Sequence, residues 1–223
     1  MTAIAIVGAG AGLGAAIARR FGAEGFGVAL ISRDQEKLDR LAVDLVQEGL
    51  TARGFAASVR DPQALTAALS RAAEELGPIE ILEYSPLPQK EFLRPVLDTT
   101  VDDLTAAMEF SVYGPVTAVH QVLDGMRELG RGTVLFVNGG SAVQPNASYA
   151  GTSAAFAAES ALASMLHDSL AAENINVGQL IIPGAIEAGH PNNDPDVLAE
   201  RLWQQHAVRG EFRAFAEPLT AEK

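Results

Sequence analysis

The chain has 223 residues, and 48% of them are hydrophobic, which is enough to bury the core of one α/β domain. Its 28 acidic residues outnumber 16 basic ones, and the net charge of −12 disfavours a nucleic-acid partner because like charges repel. The absence of cysteine excludes disulfides and thiolate chemistry, and the spacing of the histidines predicts no metal site. Because no apolar run reaches the ~18 residues of a membrane span and no signal segment precedes the first strand, we expect a cytoplasmic protein without membrane association.

Short apolar runs alternate with alanine-rich helical segments along the whole chain. The apolar runs predict strands at residues 2–8, 27–32, 53–58, 79–85, 132–139 and 176–184. Helices are predicted at residues 13–24, 35–48, 62–76, 101–129 and 149–173, with a last helical stretch at 198–207. Strands that are apolar throughout are typical of a parallel sheet covered on both faces. We therefore expect one domain, residues 1–223, with a Rossmann-type doubly wound sheet of order 3-2-1-4-5-6 and a short seventh strand near residues 211–215.

A glycine-rich turn follows the first predicted strand, with Gly8, Gly12 and Gly14 in the order G-x-x-x-G-x-G. Between a strand and a helix, such glycines permit a tight turn, close approach of a phosphate and close packing of the helix on the strand. The helix then begins at Leu13, and its free N–H groups can bind a diphosphate. The turn predicts a dinucleotide site, although glycines in a turn can also arise from packing alone.

The second predicted strand ends in Ser32, Arg33 and Asp34, about twenty residues after the glycines, where such sites contact the adenosine ribose. The guanidinium of Arg33 can pair with a 2′-phosphate in a forked geometry, which favours NADP over NAD. In the alternative interpretation Arg33 is solvated and Asp34 binds the ribose. The residues alone leave both interpretations open.

With these residues in place, the chain resembles the short-chain dehydrogenase/reductase family from Thr2 to about Ala188. Further segments that carry the resemblance are GPIEIL, GTVLFVNGGS and IIPGAIEA. The family uses a nicotinamide cofactor and commonly forms homodimers or homotetramers, so the resemblance implies both here. It also implies a set of residues beside the nicotinamide and the adenine: Pro183, Gly184, Ile186, Ser58 and Val59.

The family's hydride transfer is assisted by four side chains, and the resemblance implies where they lie. Tyr149 matches the tyrosine acid/base, and Ser141 matches the serine that holds the substrate oxygen. Ser153 replaces the lysine four residues after the tyrosine, and Ser111 replaces the asparagine of the preceding long helix. An ammonium at position 153 would favour the phenolate and bind the ribose, so its loss should impair alcohol oxidation more than carbonyl reduction.

Other positions also depart from the family's pattern. Residues 84–87 read YSPL in place of Asn-Asn-Ala-Gly, and Ser58 stands where an aspartate is usual. The connection between the catalytic serine and tyrosine, residues 142–148, is several residues shorter than usual. The nucleotide half is therefore better preserved than the catalytic half.

Few side chains could substitute for the missing ammonium or for the tyrosine. The lysines of the chain are Lys37, Lys90 and Lys223. Lys90 follows the fourth strand on the appropriate edge of the sheet, but we expect it to be solvated. Tyr84 and Tyr113 are alternative phenols, and we expect burial for both: Tyr84 at a strand end, Tyr113 against the sheet or a neighbouring subunit.

Two functions remain open. The first is an NADP-dependent oxidoreductase that acts on a small carbonyl or alcohol with impaired or atypical catalysis. The second is a catalytically inactive NADP(H)-binding sensor or assembly partner.

Two segments also keep alternative interpretations. The loop at residues 189–197 is either a surface connection or a lid over the substrate. A face of small and apolar side chains on the 149–173 helix packs either on another helix or on the sheet, and it consists of Ala154, Ala158, Ala161, Leu162 and Met165.

Overall fold

The computed structural model of the chain describes residues 1–219, which contain a parallel sheet of seven strands. The strands are β1 Ala3–Val7, β2 Gly27–Ser32, β3 Ala52–Ala56, β4 Ile79–Tyr84, β5 Gly132–Gly139, β6 Ile175–Ile182 and β7 Arg213–Phe215. Their spatial order is β3-β2-β1-β4-β5-β6-β7, and each neighbouring pair is parallel. The predicted doubly wound fold and its short seventh strand are confirmed.

Helices cover both faces of the sheet, as expected for parallel strands joined by crossovers. They are α1 Leu13–Gly22, α2 Gln35–Gln47, α3 Pro62–Leu76, α4 Val101–Met108, α5 Gly114–Leu129, α6 Ala150–Leu170 and α7 Pro195–Val208. The helix predicted at residues 101–129 contains a π-helical turn, Glu109–Tyr113, which joins α4 to α5. The one predicted at 149–173 ends in a 3-10 turn, Ala171–Glu173. The loop predicted at 189–197 gives way to α7 at Pro195.

Side-chain caps explain where four of these helices begin. Asp34, Asp61, Thr100 and Asp194 each accept a hydrogen bond from a backbone N–H in the first turn of α2, α3, α4 and α7. Helix α1 begins differently, because Gly12 precedes it and offers no side chain to its free N–H groups. The first turn of α1 is thus left open toward the glycine-rich turn.

The core forms two layers, one on each side of the sheet. Alternate side chains of β1 show the division: Ile4 and Ile6 pack with α1, α2 and α7, whereas Ala5 and Val7 pack with α3, α5 and α6. Both sets are fully buried. Within residues 1–219, no helix combines the length and apolar character that crossing a membrane requires.

Strand β4 carries two buried carboxylic acids, Glu80 and Glu83, and Glu83 is the one without an ion-pair partner among the described residues. Glu83 lies on β4 between Ile6 of β1 and Leu135 of β5 and is 0% exposed. Neither of its carboxyl oxygens has a hydrogen-bond partner among the described residues. Burial raises the pKa of Glu83 to about 8, and the neighbouring Ser85 offsets only part of that rise. The acid is therefore neutral in the folded protein at pH 7.

Replacing Glu83 with Gln should make the folded protein less sensitive to alkaline pH. The unfolded chain releases this proton near the ordinary pKa of a glutamic acid, whereas the folded protein holds it until about pH 8. Stability is thus lost as the pH rises between these two values, by of order 3 kcal/mol. We expect the Tm difference between Glu83→Gln and the parent to grow by about 6 °C between pH 5 and pH 8, measured by thermal melts.

Glu80 provides the matched control on the same strand. Although burial opposes its ionisation, hydrogen bonds from Arg131 and Thr2 hold the pKa of Glu80 below its ordinary value. Glu80→Gln should therefore lower Tm by an amount that changes little between pH 5 and pH 8, because Glu80 is largely ionised in both the folded and the unfolded protein over this range. A constant Tm difference for Glu83→Gln across this pH range would show that the Glu83 carboxyl is not held neutral.

Candidate cofactor and active site

The glycine-rich turn lies between β1 and α1, and packing alone accounts for two of its glycines. Gly8 has φ +104°, and a Cβ on it would lie 2.5 Å from the backbone N of Pro86 in the segment after β4. A Cβ on Gly14 would lie 2.9 Å from Cα of Ala9 in the turn itself. These two positions require glycine whether or not a ligand binds.

The other glycines of the turn face open space. A Cβ on Gly10 or Gly12 would meet no described atom within 4 Å. The space lies directly before the uncapped start of α1, where Leu13 is half-buried on the core of that face. Open space, free N–H groups and the positive end of a helix dipole together fit a diphosphate, so the residues present suit the dinucleotide that the motif predicts.

The end of β2 separates the two candidates for the adenosine ribose. Asp34 caps α2 by accepting from the backbone N of Lys37 at 3.1 Å, and the Lys37 ammonium lies 3.1 Å from its other oxygen. These contacts, the backbone hydrogen bond first, hold the pKa of Asp34 below its ordinary value. Arg33 is exposed, and Ser32 beside it is half-buried. Both carboxylate oxygens of Asp34 thus already have a partner, whereas Arg33 carries an exposed positive charge with no carboxylate bound to it among the described residues.

The residues expected at the adenine follow β3. Ser58 is half-buried, and its hydroxyl accepts from the backbone N of Arg60 at 3.3 Å. Val59 is buried, and its carbonyl oxygen would lie 2.9 Å from a Cβ on Gly114. Val59 therefore packs into the core beside α5, and Ser58 is the more accessible of the two.

The residues expected at the nicotinamide follow β6. Gly184 has φ +82°, a backbone conformation that favours glycine, and Ile186 is 41% exposed. The carbonyl of Pro183 accepts a hydrogen bond of 2.8 Å from Nδ2 of Asn193, which lies in the loop at residues 189–197. Asn193 is itself buried. The loop is thereby fastened to the proline at the end of β6.

The predicted proton donor and its partner lie beyond the carboxyl end of β5. Ser141 is in a 3-10 turn, Gly140–Ala142, and is half-buried. Tyr149 immediately precedes α6, with 46% of its surface exposed. Its backbone N donates to the carbonyl of Asn146 at 3.0 Å, which closes the turn that leads into the helix.

Ser153 braces the same turn. It lies one helical turn after Tyr149, and its Oγ accepts from the backbone N of Asn146 at 3.0 Å. The hydroxyl also contacts the carbonyl oxygen of Asn146 at 3.2 Å, as a donor. The position that carries the lysine in the resemblance thus joins the short 142–148 connection to α6.

The comparisons with known proteins identify the family to which this fold belongs. The family model described as short chain dehydrogenase matches residues 2–196. The chain belongs to the short-chain dehydrogenase family.

Individual relatives are distant. The chain is 28% identical over 220 residues to 2,3-dihydro-2,3-dihydroxybenzoate dehydrogenase of Bacillus subtilis, covering 98% of this chain and 81% of that protein. It is 29% identical over 176 residues to dehydrogenase/reductase SDR family member 4 of Homo sapiens, covering 79% of this chain and 63% of that protein. The L-sorbose reductase of Gluconobacter frateurii, solved with NADPH and L-sorbose, superposes with a TM-score of 0.86 at 20% identity, covering 96% of this chain and 94% of that chain.

Ser111, at the asparagine position of the family pattern, faces a buried acid that the sequence motifs did not reveal. Ser111 is buried in the π-helical turn, and Glu159 of α6 is 1% exposed. Burial raises the pKa of Glu159 well above its ordinary value, and the approach of Asn138 and Ser111 offsets only part of the rise. A partial signal was available, because Glu159 stands among the small and apolar residues of the FAAESA segment of α6.

The alternative phenols and lysines are placed differently. Tyr84 is buried and donates its hydroxyl to the carbonyl of Phe110, so the predicted burial is confirmed and is nearly complete. Tyr113 is not buried against the sheet, because its side chain is 54% exposed on the π-helical turn, and burial against a neighbouring subunit stays a prediction. Lys37 pairs with Asp34, and Lys90 is exposed. Lys223 lies outside the described residues.

No cluster of three metal-ligating side chains occurs in residues 1–219. The arrangement at this edge of the sheet is instead an exposed phenol, a hydroxyl and an open glycine turn. These groups can exchange a proton with a small molecule and hold an anion.

Removing the Ser153 hydroxyl should destabilise the turn that carries Tyr149. Ser153→Ala deletes both contacts with Asn146, and a hydrogen bond of this kind contributes about 1 kcal/mol. We expect Tm to fall by about 2 to 4 °C in a thermal melt. Ser148→Ala is the control, since Ser148 is exposed and contributes its backbone N to the turn. An unchanged Tm for Ser153→Ala would mean that the turn does not depend on this hydroxyl.

Proposed function

We propose that this chain binds NADP(H) and reduces a small carbonyl compound, with Tyr149 as proton donor and Ser141 holding the carbonyl oxygen. The observation that carries the proposal is the exposed Tyr149 phenol at the same sheet edge as the open glycine turn. Gly8, Gly12, Leu13 and Gly14 would hold the diphosphate. When bound, the reduced nicotinamide supplies a hydride to the substrate.

The preference for NADP rests on the charges at the end of β2. Arg33 is exposed and positively charged, whereas the Asp34 carboxylate already caps α2 and pairs with Lys37. A guanidinium recognises a phosphate by paired hydrogen bonds, so Arg33 suits a 2′-phosphate. Asp34 already accepts the α2 cap hydrogen bond and pairs with Lys37, which leaves it fewer lone pairs for a ribose hydroxyl.

Catalysis should be slow and directional because Ser153 supplies no ammonium. An alcohol oxidation needs the Tyr149 phenolate as a base, and a nearby positive charge would favour that form. A carbonyl reduction uses the protonated phenol as an acid. The Tyr149 hydroxyl can give its proton to the developing alkoxide without help from residue 153. We therefore propose reduction rather than oxidation as the operating direction.

One observation favours a second candidate, a catalytically inactive NADP(H)-binding sensor or assembly partner. Ser153 is engaged with the Asn146 backbone, and Ser111 faces the buried Glu159. Two of the four catalytic positions thus contribute to internal structure. The nucleotide end does not depend on either of them.

A homodimer or homotetramer is also part of the proposal. The small-residue face of α6 is open, since Ala154, Ala161 and Met165 are exposed while Ala158 and Leu162 are half-buried. The alternative that this face packs on the sheet is therefore wrong. Another subunit of this chain is the proposed occupant, on the family resemblance, and light scattering would measure its presence.

Calorimetric titration tests the cofactor preference. We expect NADPH to bind more tightly than NADH. Arg33→Ala should lower the affinity for NADPH by about 10- to 100-fold because a charged hydrogen-bond pair is lost. NADH affinity should stay unchanged. Arg40→Ala is the matched control, as it removes an equal charge from an exposed position further along α2. Tighter binding of NADH by the parent protein would contradict the NADP assignment.

Single-turnover oxidation of NADPH with a panel of aldehydes and quinones tests the chemistry. We expect Tyr149→Phe to lower the rate by about 10²- to 10⁴-fold, the usual contribution of a general acid, while NADPH affinity is retained. Equal rates of NADPH oxidation for Tyr149→Phe and the parent would contradict the role of Tyr149 as proton donor. The catalytically inactive NADP(H)-binding protein would then remain as the candidate.

Ser153→Lys is the complementary variant for that experiment. A lysine there restores the ammonium, so alcohol oxidation should gain more than carbonyl reduction. A higher rate of alcohol oxidation in Ser153→Lys would show that Tyr149 and Ser141 are correctly placed. An absence of gain, with NADPH still bound, would place the defect in the short 142–148 connection.

A further inference from the structure

Gln89 connects the segment after β4 to the arginine at the end of β2. In the amide orientation that satisfies both ends of its side chain, Oε1 accepts from Nη1 of Arg33 at 3.0 Å and the amide nitrogen donates to Oε1 of Glu91 at 2.9 Å. Gln89 is half-buried, whereas Arg33 and Glu91 are exposed. The glutamine thus lies between an exposed cation and an exposed anion and holds them apart.

The segment that carries Gln89 is anchored on both sides. On one side, Pro86 lies against Gly8 and the backbone N of Ser85 donates to the carbonyl of Val7 at 2.9 Å. On the other side, Phe92 is buried in the core.

Further along, the segment is fastened to the turn that carries Tyr149. The backbone N of Val96 donates to the carbonyl oxygen of Ala147 at 2.8 Å, and the backbone N of Ala150 donates to the carbonyl oxygen of Arg94 at 2.9 Å. The Gln89 amide is therefore presented from a fixed backbone.

We infer that Gln89 is a specificity-determining residue that holds the Arg33 guanidinium in position for the 2′-phosphate of NADP(H). This inference rests on the proposed cofactor assignment for Arg33. It adds that the preference for the phosphorylated nucleotide is set by two elements, β2 and the segment after β4.

The chemistry of the bridge explains why an amide suits this position. A neutral acceptor orients one N–H of Arg33 and leaves its full positive charge available, whereas a carboxylate would compete with the phosphate. The carboxylate of Glu91 accepts from the amide nitrogen of Gln89 and so fixes the other end of the same side chain. Fixing a long exposed side chain before binding reduces the entropy lost when the ligand arrives.

The test is a calorimetric comparison of NADPH and NADH affinities in the full chain. The variants are Gln89→Ala, Gln89→Glu, Arg33→Ala and the double variant of residues 33 and 89. Gln63→Ala is the matched control, because Gln63 is an exposed glutamine on α3 whose backbone N, not its side chain, donates to Asp61.

We expect Gln89→Ala to lower the affinity for NADPH by about three- to tenfold, the effect of one lost hydrogen bond. The affinity for NADH and the Tm should stay unchanged. Gln89→Glu should weaken NADPH further, since it places a carboxylate against the guanidinium. In the Arg33→Ala background, Gln89→Ala should have no further effect, because the two residues act through one contact.

Three results would overturn the inference. Unchanged or tighter NADPH binding by Gln89→Ala would show that the bridge does not prepare Arg33 for a phosphate. An equal loss of NADPH and NADH affinity would indicate a general structural role. If Arg33→Ala also leaves NADPH affinity intact, the cofactor assignment itself fails. If Arg33→Ala lowers NADPH affinity and Gln89→Ala does not, only the role of Gln89 is contradicted.

Discussion

The contact between Gly8 and Pro86 is the constraint on which the candidate site depends. It lies where β1 and β4 pair side by side, the point at which the strand order of the sheet reverses. Open α/β sheets bind ligands at such a point because the crossovers on either side diverge and leave a crevice. A backbone approach this close, together with the positive φ of Gly8, tolerates no side chain. The same contact fixes the start of the glycine turn and the start of the segment that carries Gln89. The positions of both sides of the crevice, one after β1 and one after β4, therefore depend on this contact.

From that point the two halves of the crevice differ in how their polar groups are used. At the nucleotide end, Gly10 and Gly12 face open space and α1 begins without a side-chain cap, so the hydrogen-bonding groups are left for a ligand. Toward α6 the polar groups are satisfied internally, since Ser153 binds the Asn146 backbone and Ser111 faces Glu159. The open nucleotide end and the internally satisfied polar groups near α6 are the observations on which the proposed cofactor binding and slow reduction rest. In that proposal the exposed phenol of Tyr149 is the proton donor.

The sheet order was predictable because parallel strands buried on both faces read as unbroken apolar runs, and right-handed crossovers leave few topologies. Apolar periodicity alone did not mark the π-helical turn, although Pro115 inside the predicted 101–129 helix signalled a break, because a proline cannot donate to the carbonyl four residues earlier, here Ser111. The exposure of Tyr113 and of the small-residue face of α6 was beyond the sequence. A helical period shows which residues share a face, but the packing of the other elements decides which face is covered.

What the sequence by itself determined is the fold, the glycine turn and the identities at the catalytic positions, because these follow from local pattern and from short motifs. The tertiary structure alone decided that Asp34 is used as a cap while Arg33 stays exposed, that Ser153 braces the Tyr149 turn, and that Gln89 reaches Arg33. It also decided that Glu83 and Glu159 are held in the interior as acids with raised pKa values. The physical reason is that hydrogen bonding and burial join residues far apart in the chain. Their partners are set by how helices and loops meet at the sheet edge, which no local pattern encodes.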